Sequence, residues 1–274
     1  MSSAATTVRA LSTRESLRKD LARLGVPTGG IVLVHSSLKA VGWIVGGALT
    51  VVQALSDVLG PDGTLIVPAY SGHNRDPSRW ESPRIPAHWW ESTRDAIPGF
   101  DPARTPSYGV GRLAEFVRTL PGARRSDHPQ TSFAGIGPAA ARLLADHELT
   151  APLGDRSPLG RLARAGGYAL LLGVGYDKCT AFHLAEYHQP DPPIQHNACA
   201  VLTADGRAWV EYSTVALNDG DFPRLGADFE KHGGLVTTGT VGEAQARLLP
   251  IAPAVRFAEH WLVNRTIGPA SIFP

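Results

Sequence analysis

Residues 168–186, Tyr-Ala-Leu-Leu-Leu-Gly-Val-Gly-Tyr-Asp-Lys-Cys-Thr-Ala-Phe-His-Leu-Ala-Glu, decide how this chain folds. The apolar run from Tyr168 to Val174 predicts a buried strand, and the next residues predict a turn and then a helix that carries His183 and Glu186. Three positions apart on a helix, these two side chains share a face. Because open α/β sheets build their sites at the carboxyl ends of strands, this junction is a candidate functional site.

The same alternation of strands and helices extends toward the N-terminus. Apolar periodicity predicts helices and strands in turn, with Thr13 as a cap and Gly60-Pro61-Asp62-Gly63 as a turn. The predicted helices cover 13–24, 50–59, 111–120 and 139–146, and the predicted strands cover 31–34 and 64–68. Ser157-Pro158 is typical of a helix start. This order predicts a layered α/β/α sandwich with a mixed central sheet.

Beyond residue 190 the pattern changes. Residues 198–203 and 207–212 flank Ala204-Asp205-Gly206, which predicts a β-hairpin and additional antiparallel strands toward the C-terminus. We interpret residues 1–274 as one domain, with 1–12 frayed and 194–274 strand-rich. Residues 71–106 are rich in Pro, Trp, Asp and Arg and are interpreted as a substrate-side flap, since long loops in compact domains are usually functional.

Composition excludes several classes of protein. The chain has 274 residues, 43% of them hydrophobic and 19% charged, with a net charge of +1, so a packed core is expected and nucleic-acid binding is not. No segment predicts a signal peptide or a membrane span, which excludes a membrane partner. Cys179 and Cys199 are not spaced as zinc ligands, so we expect no metal site. Two cysteines without a disulfide framework fit a reducing compartment, so we expect a cytoplasmic protein. We expect it to be a monomer or a homodimer.

The candidate helix predicts acid–base chemistry. A histidine whose second nitrogen is held by a carboxylate is the usual arrangement for taking a proton from a weak nucleophile. His183 is the predicted base, and Glu186 would orient the imidazole and stabilise its cationic form. The alternative is a solvated Glu186 beside a histidine of the core. A metal site is less favoured, because no HExxH spacing or third ligand accompanies the pair.

Seven stretches, in this order, resemble the aminoglycoside 3-N-acetyltransferase family from about Leu17 to Leu262. They are VHSSL (34–38), VGWIVGG (41–47), GPDGTL (60–65), FDP (100–102), RSDHP (125–129), SPLGRL (157–162) and HLAE (183–186). The resemblance implies a bacterial cytoplasmic enzyme that moves acetyl from acetyl-CoA to an amine, commonly the 3-amino group of a 2-deoxystreptamine antibiotic. It also implies an α/β/α fold distinct from the histone-acetyltransferase type.

Acetyl-CoA is the expected co-substrate, and we assign it to the loop after the strand at 31–34. Backbone amides and the two serine hydroxyls there suit a pantetheine arm or diphosphate. The resemblance extends the assignment to residues further along the chain. The predicted coenzyme-binding residues are His35, Ser36, Ser37, Val41, Gly42, Trp43, Ser107 and Val110.

A cationic aminosugar needs carboxylates, because each ammonium group exchanges its hydration for charged hydrogen bonds. The substrate candidates are Tyr70, Asp76, Asp101, Asp177 and Glu211, with Asp219 and Asp221 as further acids in loops. Each acid alone is more often a solvated surface residue or a turn former. The tryptophans of the flap, Trp80, Trp89 and Trp90, would either stack on a ring or hold the flap in place.

The predicted mechanism is direct, sequential transfer with coenzyme and acceptor bound together. One alternative is acetyl-CoA-dependent N-acetylation of a non-antibiotic amine in a biosynthetic pathway. A second is a hydrolase that uses Ser36 or Ser37 as nucleophile, although no Gly-x-Ser-x-Gly motif is present. A third is a non-catalytic drug-binding protein.

Overall fold

A mixed sheet of seven strands runs through the centre of the computed structural model, which describes residues 11–80, 83–232 and 235–265. The strands are β1 (Leu11–Ser12), β2 (Ile31–Ser36), β3 (Trp43–Ile44), β4 (Thr64–Pro68), β5 (Arg124–Arg125), β6 (Phe133–Ile136), β7 (Tyr168–Leu172), β8 (Ile194–Thr203), β9 (Gly206–Val215), β10 (Thr237–Val241) and β11 (Ala244–Pro250). The sheet order is β10-β11-β7-β2-β4-β6-β5. β2 is parallel to β4 and β7, and the other neighbours are antiparallel. This confirms the predicted mixed sheet.

The helices are α1 (Arg14–Arg23), α2 (Leu38–Val41), α3 (Ala48–Leu59), α4 (Trp90–Ala96), α5 (Gly111–Arg118), α6 (Ala140–Leu144), α7 (Pro158–Arg164), α8 (His183–Tyr187), α9 (Phe222–His232) and α10 (Ile251–Arg265). Two of the predicted starts are capped as expected. The Thr13 hydroxyl accepts a hydrogen bond from Ser16 N at 3.2 Å, and Ser157 Oγ accepts one from Leu159 N at 3.1 Å. These caps satisfy amides that the first turn of a helix leaves without partners.

Helices cover both faces of the sheet. Successive side chains of a strand point to opposite faces, and β2 shows this directly. Val32 and Val34 belong to a core formed with α1, α3 and α5, whereas Leu33 belongs to a second core formed with α6, α7, α8, α9 and α10. Two cores separated by one sheet make the three-layer α/β/α sandwich that the sequence predicted.

The C-terminal third contains the predicted hairpin and more. β8 and β9 pair over ten residues each, with Thr203 opposite Gly206, so the hairpin is longer than 198–212. β10 and β11 extend the central sheet, and α9 and α10, which the sequence analysis did not predict, fill its second core. Most of the segment predicted to be frayed, 1–12, lies outside the described residues, but Leu11 and Ser12 pair with β3.

The predicted flap is built of short helices and packs on the hairpin. Three 3₁₀ turns and α4 lie between residues 72 and 96. Asp76 N donates to Ala198 O and Phe100 N to Ala200 O, each at 3.0 Å, so both ends of the flap are bonded to β8. The described residues of this segment, 71–80 and 83–106, therefore form an ordered wall rather than an irregular loop. Across the described ranges, no helix is both long and apolar enough to span a bilayer.

Candidate functional site

His183 and Glu186 form a close pair at the start of α8. His183 Nδ1 lies 2.6 Å from Glu186 Oε2, and the side chains are only 16% and 11% exposed. Because an ionised carboxylate can only accept a hydrogen bond, Nδ1 carries the ring proton and donates the hydrogen bond to Glu186. No described residue hydrogen-bonds the second ring nitrogen, Nε2, which leaves its lone pair for a substrate proton. The predicted sharing of one helical face is confirmed.

Tertiary contacts hold this pair in place. The second carboxylate oxygen of Glu186 accepts a hydrogen bond from Asn218 N at 2.8 Å. The imidazole of His183 packs on Phe222, with ring centroids 4.7 Å apart. Asn218 and Phe222 lie after the hairpin and at the start of α9, far from α8 in sequence. Both the carboxylate and the imidazole are therefore fixed before substrate arrives.

A cavity of about 500 Å³, called here the His183 cavity, opens beside this pair. Its wall comes from the carboxyl ends of β2 and β7, from the start of α5 and from the loop before α9. The lining residues include His35, Ser36, Ser37, Tyr70, Val110, Asp177, Thr180, His183 and Asp219. Three cationic side chains also line it, namely Lys39, Arg112 and Lys178. The site lies where β-strands end, as the sequence predicted.

His35 is the most buried polar side chain of this wall. Its Nε2 is buried and has no hydrogen-bond partner. Burial, with a smaller effect from the charge of His183, lowers the pKa of His35 to about 4. His35 is therefore neutral at physiological pH, with one ring nitrogen protonated and the other not.

Some predicted coenzyme-binding residues lie elsewhere. Val41 is fully buried in the core with α1 and α3, and Trp43 is 53% exposed in β3 outside the His183 cavity. Gly42 adjoins the side chain of Glu243. The Ser107 hydroxyl donates to Glu115 Oε2 at 2.5 Å. These four residues do not line the cavity, and their role in coenzyme binding stays a prediction.

The predicted substrate-binding residues line three different cavities. Tyr70 and Asp177 line the His183 cavity, and the Tyr70 hydroxyl lies 3.1 Å from Thr180 Oγ1. Asp76 and Glu211 line a different cavity beside the hairpin, and Asp101 lines a third. Lys39, Arg112 and Lys178 were not predicted to lie at the site, because the basic residues are scattered along the sequence and form no pattern. Within the described residues, no three His, Cys, Asp or Glu side chains are arranged to hold a metal ion.

The RSDHP motif (125–129) has a structural role. His128 Nδ1 accepts hydrogen bonds from Gln130 N at 3.1 Å and Thr131 N at 3.0 Å, which fixes the turn before β6. The ring of His128 stacks on His147 with centroids 4.7 Å apart. Burial lowers the pKa of His128 to about 4, and burial, with a smaller effect from His128, lowers the pKa of His147 well below its ordinary value.

Unfolding should become easier as the pH falls from 6.5 to 4.5. The unfolded chain binds a proton on each histidine near the ordinary pKa of 6.5, whereas folded His35 and His128 bind one only near 4. The stabilisation that comes from these neutral rings is fully present above pH 6.5. Below pH 6.5 the free energy of unfolding falls by up to about 1.4 kcal/mol per pH unit for each histidine. Urea unfolding at pH 7, 6 and 5 measures this slope.

His260→Gln, which changes an exposed histidine of α10, is the control and should leave that slope unchanged. Carboxylates titrate mainly below this window. One histidine acts in the opposite direction: burial lowers the pKa of His188, but hydrogen bonds to Glu259 and Asp155 outweigh this and raise it. A free energy of unfolding that does not fall between pH 6.5 and 5 would contradict the prediction.

An α/β/α sandwich with a carboxylate-held histidine on the wall of a cavity is an arrangement that can activate a nucleophile. Comparison with known proteins identifies the reaction class as acyl transfer. The sequence profile described as "Aminoglycoside 3-N-acetyltransferase" matches residues 33–263. The chain belongs to the aminoglycoside 3-N-acetyltransferase family and is an acyltransferase.

Two relatives match over most of their length. The SPbeta prophage-derived aminoglycoside N(3')-acetyltransferase-like protein YokD of Bacillus subtilis is 39% identical over 253 residues, which are 92% of this chain and 93% of the relative. Aminoglycoside N(3)-acetyltransferase VIII of Streptomyces fradiae is 37% identical over 273 residues, 94% of each chain.

Solved structures give the same result for the fold. The crystal structure of YokD from Bacillus subtilis superimposes with a TM-score of 0.93 at 37% identity, covering 96% of this chain and 97% of that one. The structure of AAC-IIIb with CoASH superimposes with a TM-score of 0.84 at 32% identity, covering 95% of this chain and 100% of that one. The structure of AAC-VIa bound to sisomicin superimposes with a TM-score of 0.82 at 35% identity, covering 93% of this chain and 99% of that one. The predicted fold, distinct from the histone-acetyltransferase type, is confirmed.

Proposed function

We propose that this enzyme transfers the acetyl group of acetyl-CoA to an aminoglycoside, at the 3-amino group of its 2-deoxystreptamine ring, and thereby confers resistance. The observation that carries the proposal is the 2.6 Å contact between His183 Nδ1 and Glu186 on the wall of the His183 cavity. The relatives' names and the complexes of AAC-IIIb with CoASH and AAC-VIa with sisomicin support the two substrates.

The reaction needs a neutral amine beside the thioester. With Nδ1–H donated to Glu186, His183 Nε2 accepts a proton from the acceptor nitrogen as that nitrogen bonds to the acetyl carbonyl carbon. The carbon–sulfur bond then breaks, and the coenzyme leaves as the thiolate, which takes up the proton. Glu186 stabilises the imidazolium that forms between these events. Both substrates are bound together, so no acyl-enzyme is needed.

The coenzyme fits the wall formed by Ser36, Ser37 and the residues at the start of α5. Ser36 and Ser37 offer hydroxyls at the end of β2, and Lys39 and Arg112 place positive charge beside them. A diphosphate carries negative charge, which such side chains and backbone amides hold well. A cytoplasmic location and a monomeric or homodimeric state are part of the same proposal.

The test is thiol release from acetyl-CoA with a panel of gentamicin-, kanamycin-, neomycin- and apramycin-type amines. We expect release that depends on both protein and aminoglycoside, with one acetyl group added per thiol by mass spectrometry. Acetate release without any amine would instead support a hydrolase that uses Ser36 or Ser37. Aminoglycoside binding with no release of thiol or acetate would indicate a drug-binding protein.

A further inference from the structure

A second cavity, of about 440 Å³, adjoins the His183 cavity, and Tyr70 lines both. We call it the Arg75 cavity. Its other lining residues are Gly72, His73, Arg75, Arg79, Trp80, Tyr108, Gln130, Thr131, Gln195 and Asn197. Among the described residues that line it there is no carboxylate, whereas the His183 cavity contains Asp177 and Asp219. The Arg75 cavity therefore suits an anionic group, while Asp177 and Asp219 give the His183 cavity two carboxylates that can hold an amine.

Arg75 has no charge partner within the described part of the chain. Its Nε is buried and makes no hydrogen bond. The neighbouring acid, Asp76, is held by Arg94, whose Nε lies 2.8 Å from Asp76 Oδ2. The second arginine, Arg79, donates to the neutral Gln195 Oε1 at 3.0 Å. Because a partly buried cation without a partner is unfavourable, a ligand anion would be bound strongly here.

Aromatic side chains form part of this wall. The rings of His73 and Tyr108 have centroids 3.9 Å apart, and those of His73 and Trp80 are 5.8 Å apart. Trp80 Nε1 donates to Arg75 O at 3.0 Å, which ties the aromatic wall to the backbone of the arginine. A guanidinium beside a cluster of aromatic rings suits a planar or cyclic group that carries a carboxylate or phosphate.

We propose that the Arg75 cavity binds a carboxylate or phosphate carried by an acceptor amine, so that acceptors extend beyond aminoglycosides to amines with an anionic group. This inference rests on the proposed acetyl transfer at His183. The amine of such an acceptor would lie near His183, Asp177 and Asp219, and its anion would lie beyond Tyr70 at Arg75. Bidentate, charge-assisted hydrogen bonds would hold the anion.

The experiment compares 4-(aminomethyl)benzoate with benzylamine, which differ only in the carboxylate, by thiol release from acetyl-CoA. We expect kcat/KM to be about 10–100-fold higher for the carboxylate compound. Arg75→Gln should abolish that preference and leave the rate with benzylamine unchanged, and Arg75→Lys should restore part of it. Arg142→Gln, on an exposed position of α6, is the matched control and should keep the full preference.

A phosphate could also come from the coenzyme, so the KM for acetyl-CoA is measured in each variant. An increase confined to that KM in Arg75→Gln would assign the cavity to the coenzyme and overturn the inference. Equal kcat/KM for the two amines, or a preference that survives Arg75→Gln, would also overturn it, while thiol release with aminoglycosides would leave the proposed function intact. Release with no amine at all would overturn both.

Discussion

His183→Ala is expected to lower the turnover number for acetyl transfer by about 10²–10⁴-fold, the usual contribution of a positioned general base. The imidazole lies on the wall of the His183 cavity, and Glu186 holds its Nδ1 at 2.6 Å. No other described histidine combines a carboxylate partner with a place on this wall, since His35 has none. Steady-state kinetics with acetyl-CoA and a turned-over aminoglycoside measure the loss.

The matched control is His260→Ala, which removes an exposed imidazole from α10 and should leave turnover unchanged. Coenzyme binding by calorimetry and the midpoint of thermal unfolding show whether His183→Ala still folds and binds. Glu186→Gln should also reduce turnover, but less, because the base remains. Near-normal turnover in a folded His183→Ala enzyme would rule out the proposed role of the imidazole.

Phe182→Ala is expected to lower the free energy of unfolding by about 3–5 kcal/mol. Phe182 is fully buried immediately before α8, and its ring lies 5.4 Å from that of Phe222 and 6.1 Å from that of Tyr176. Removing it leaves a void beneath Phe222, the ring on which His183 packs. Calorimetry should show the unfolding midpoint falling by about 10 °C.

Leu235→Ala is the control for this change, because Leu235 is 51% exposed and should alter stability by less than about 0.5 kcal/mol. If Phe182→Ala and Leu235→Ala had the same small effect, the aromatic cluster would not be what supports α8. Comparing kcat at a temperature where both variants are folded then measures how far packing beneath Phe222 affects the position of His183.

Local patterns gave most of the central fold correctly. The β-branched and leucine-rich strands β2, β4 and β7 and the capped helix α1 are set by short-range preferences, so periodicity finds them. α9 and α10 were missed, although Phe222, Leu225 and Phe229 recur at helical spacing in α9. The flap was predicted as a loop because its short turns carry no periodicity. Its order comes from hydrogen bonds to β8.

The same distinction between local and tertiary contacts applies to the candidate site. His183 and Glu186 were predicted together, since they lie three positions apart on one helix. Ser36, Ser37 and Val110 line the His183 cavity, and their role in coenzyme binding stays a prediction. Acids predicted to share one site, such as Asp76 and Asp177, lie in different cavities. Charge alone indicated that carboxylates could bind an amine, but it could not indicate which of them face the same space.

The sequence by itself determined the strand, turn and helix of residues 168–186 and the pairing of His183 with Glu186, because contacts between near neighbours depend only on local backbone geometry. Only the tertiary structure decided what surrounds that pair. Asn218 N and the Phe222 ring reach it from beyond the hairpin, and Arg75, which has no charge partner among the described residues, lies beyond Tyr70. These contacts join residues far apart in the chain, and their positions follow from the packing of layers rather than from any periodic pattern.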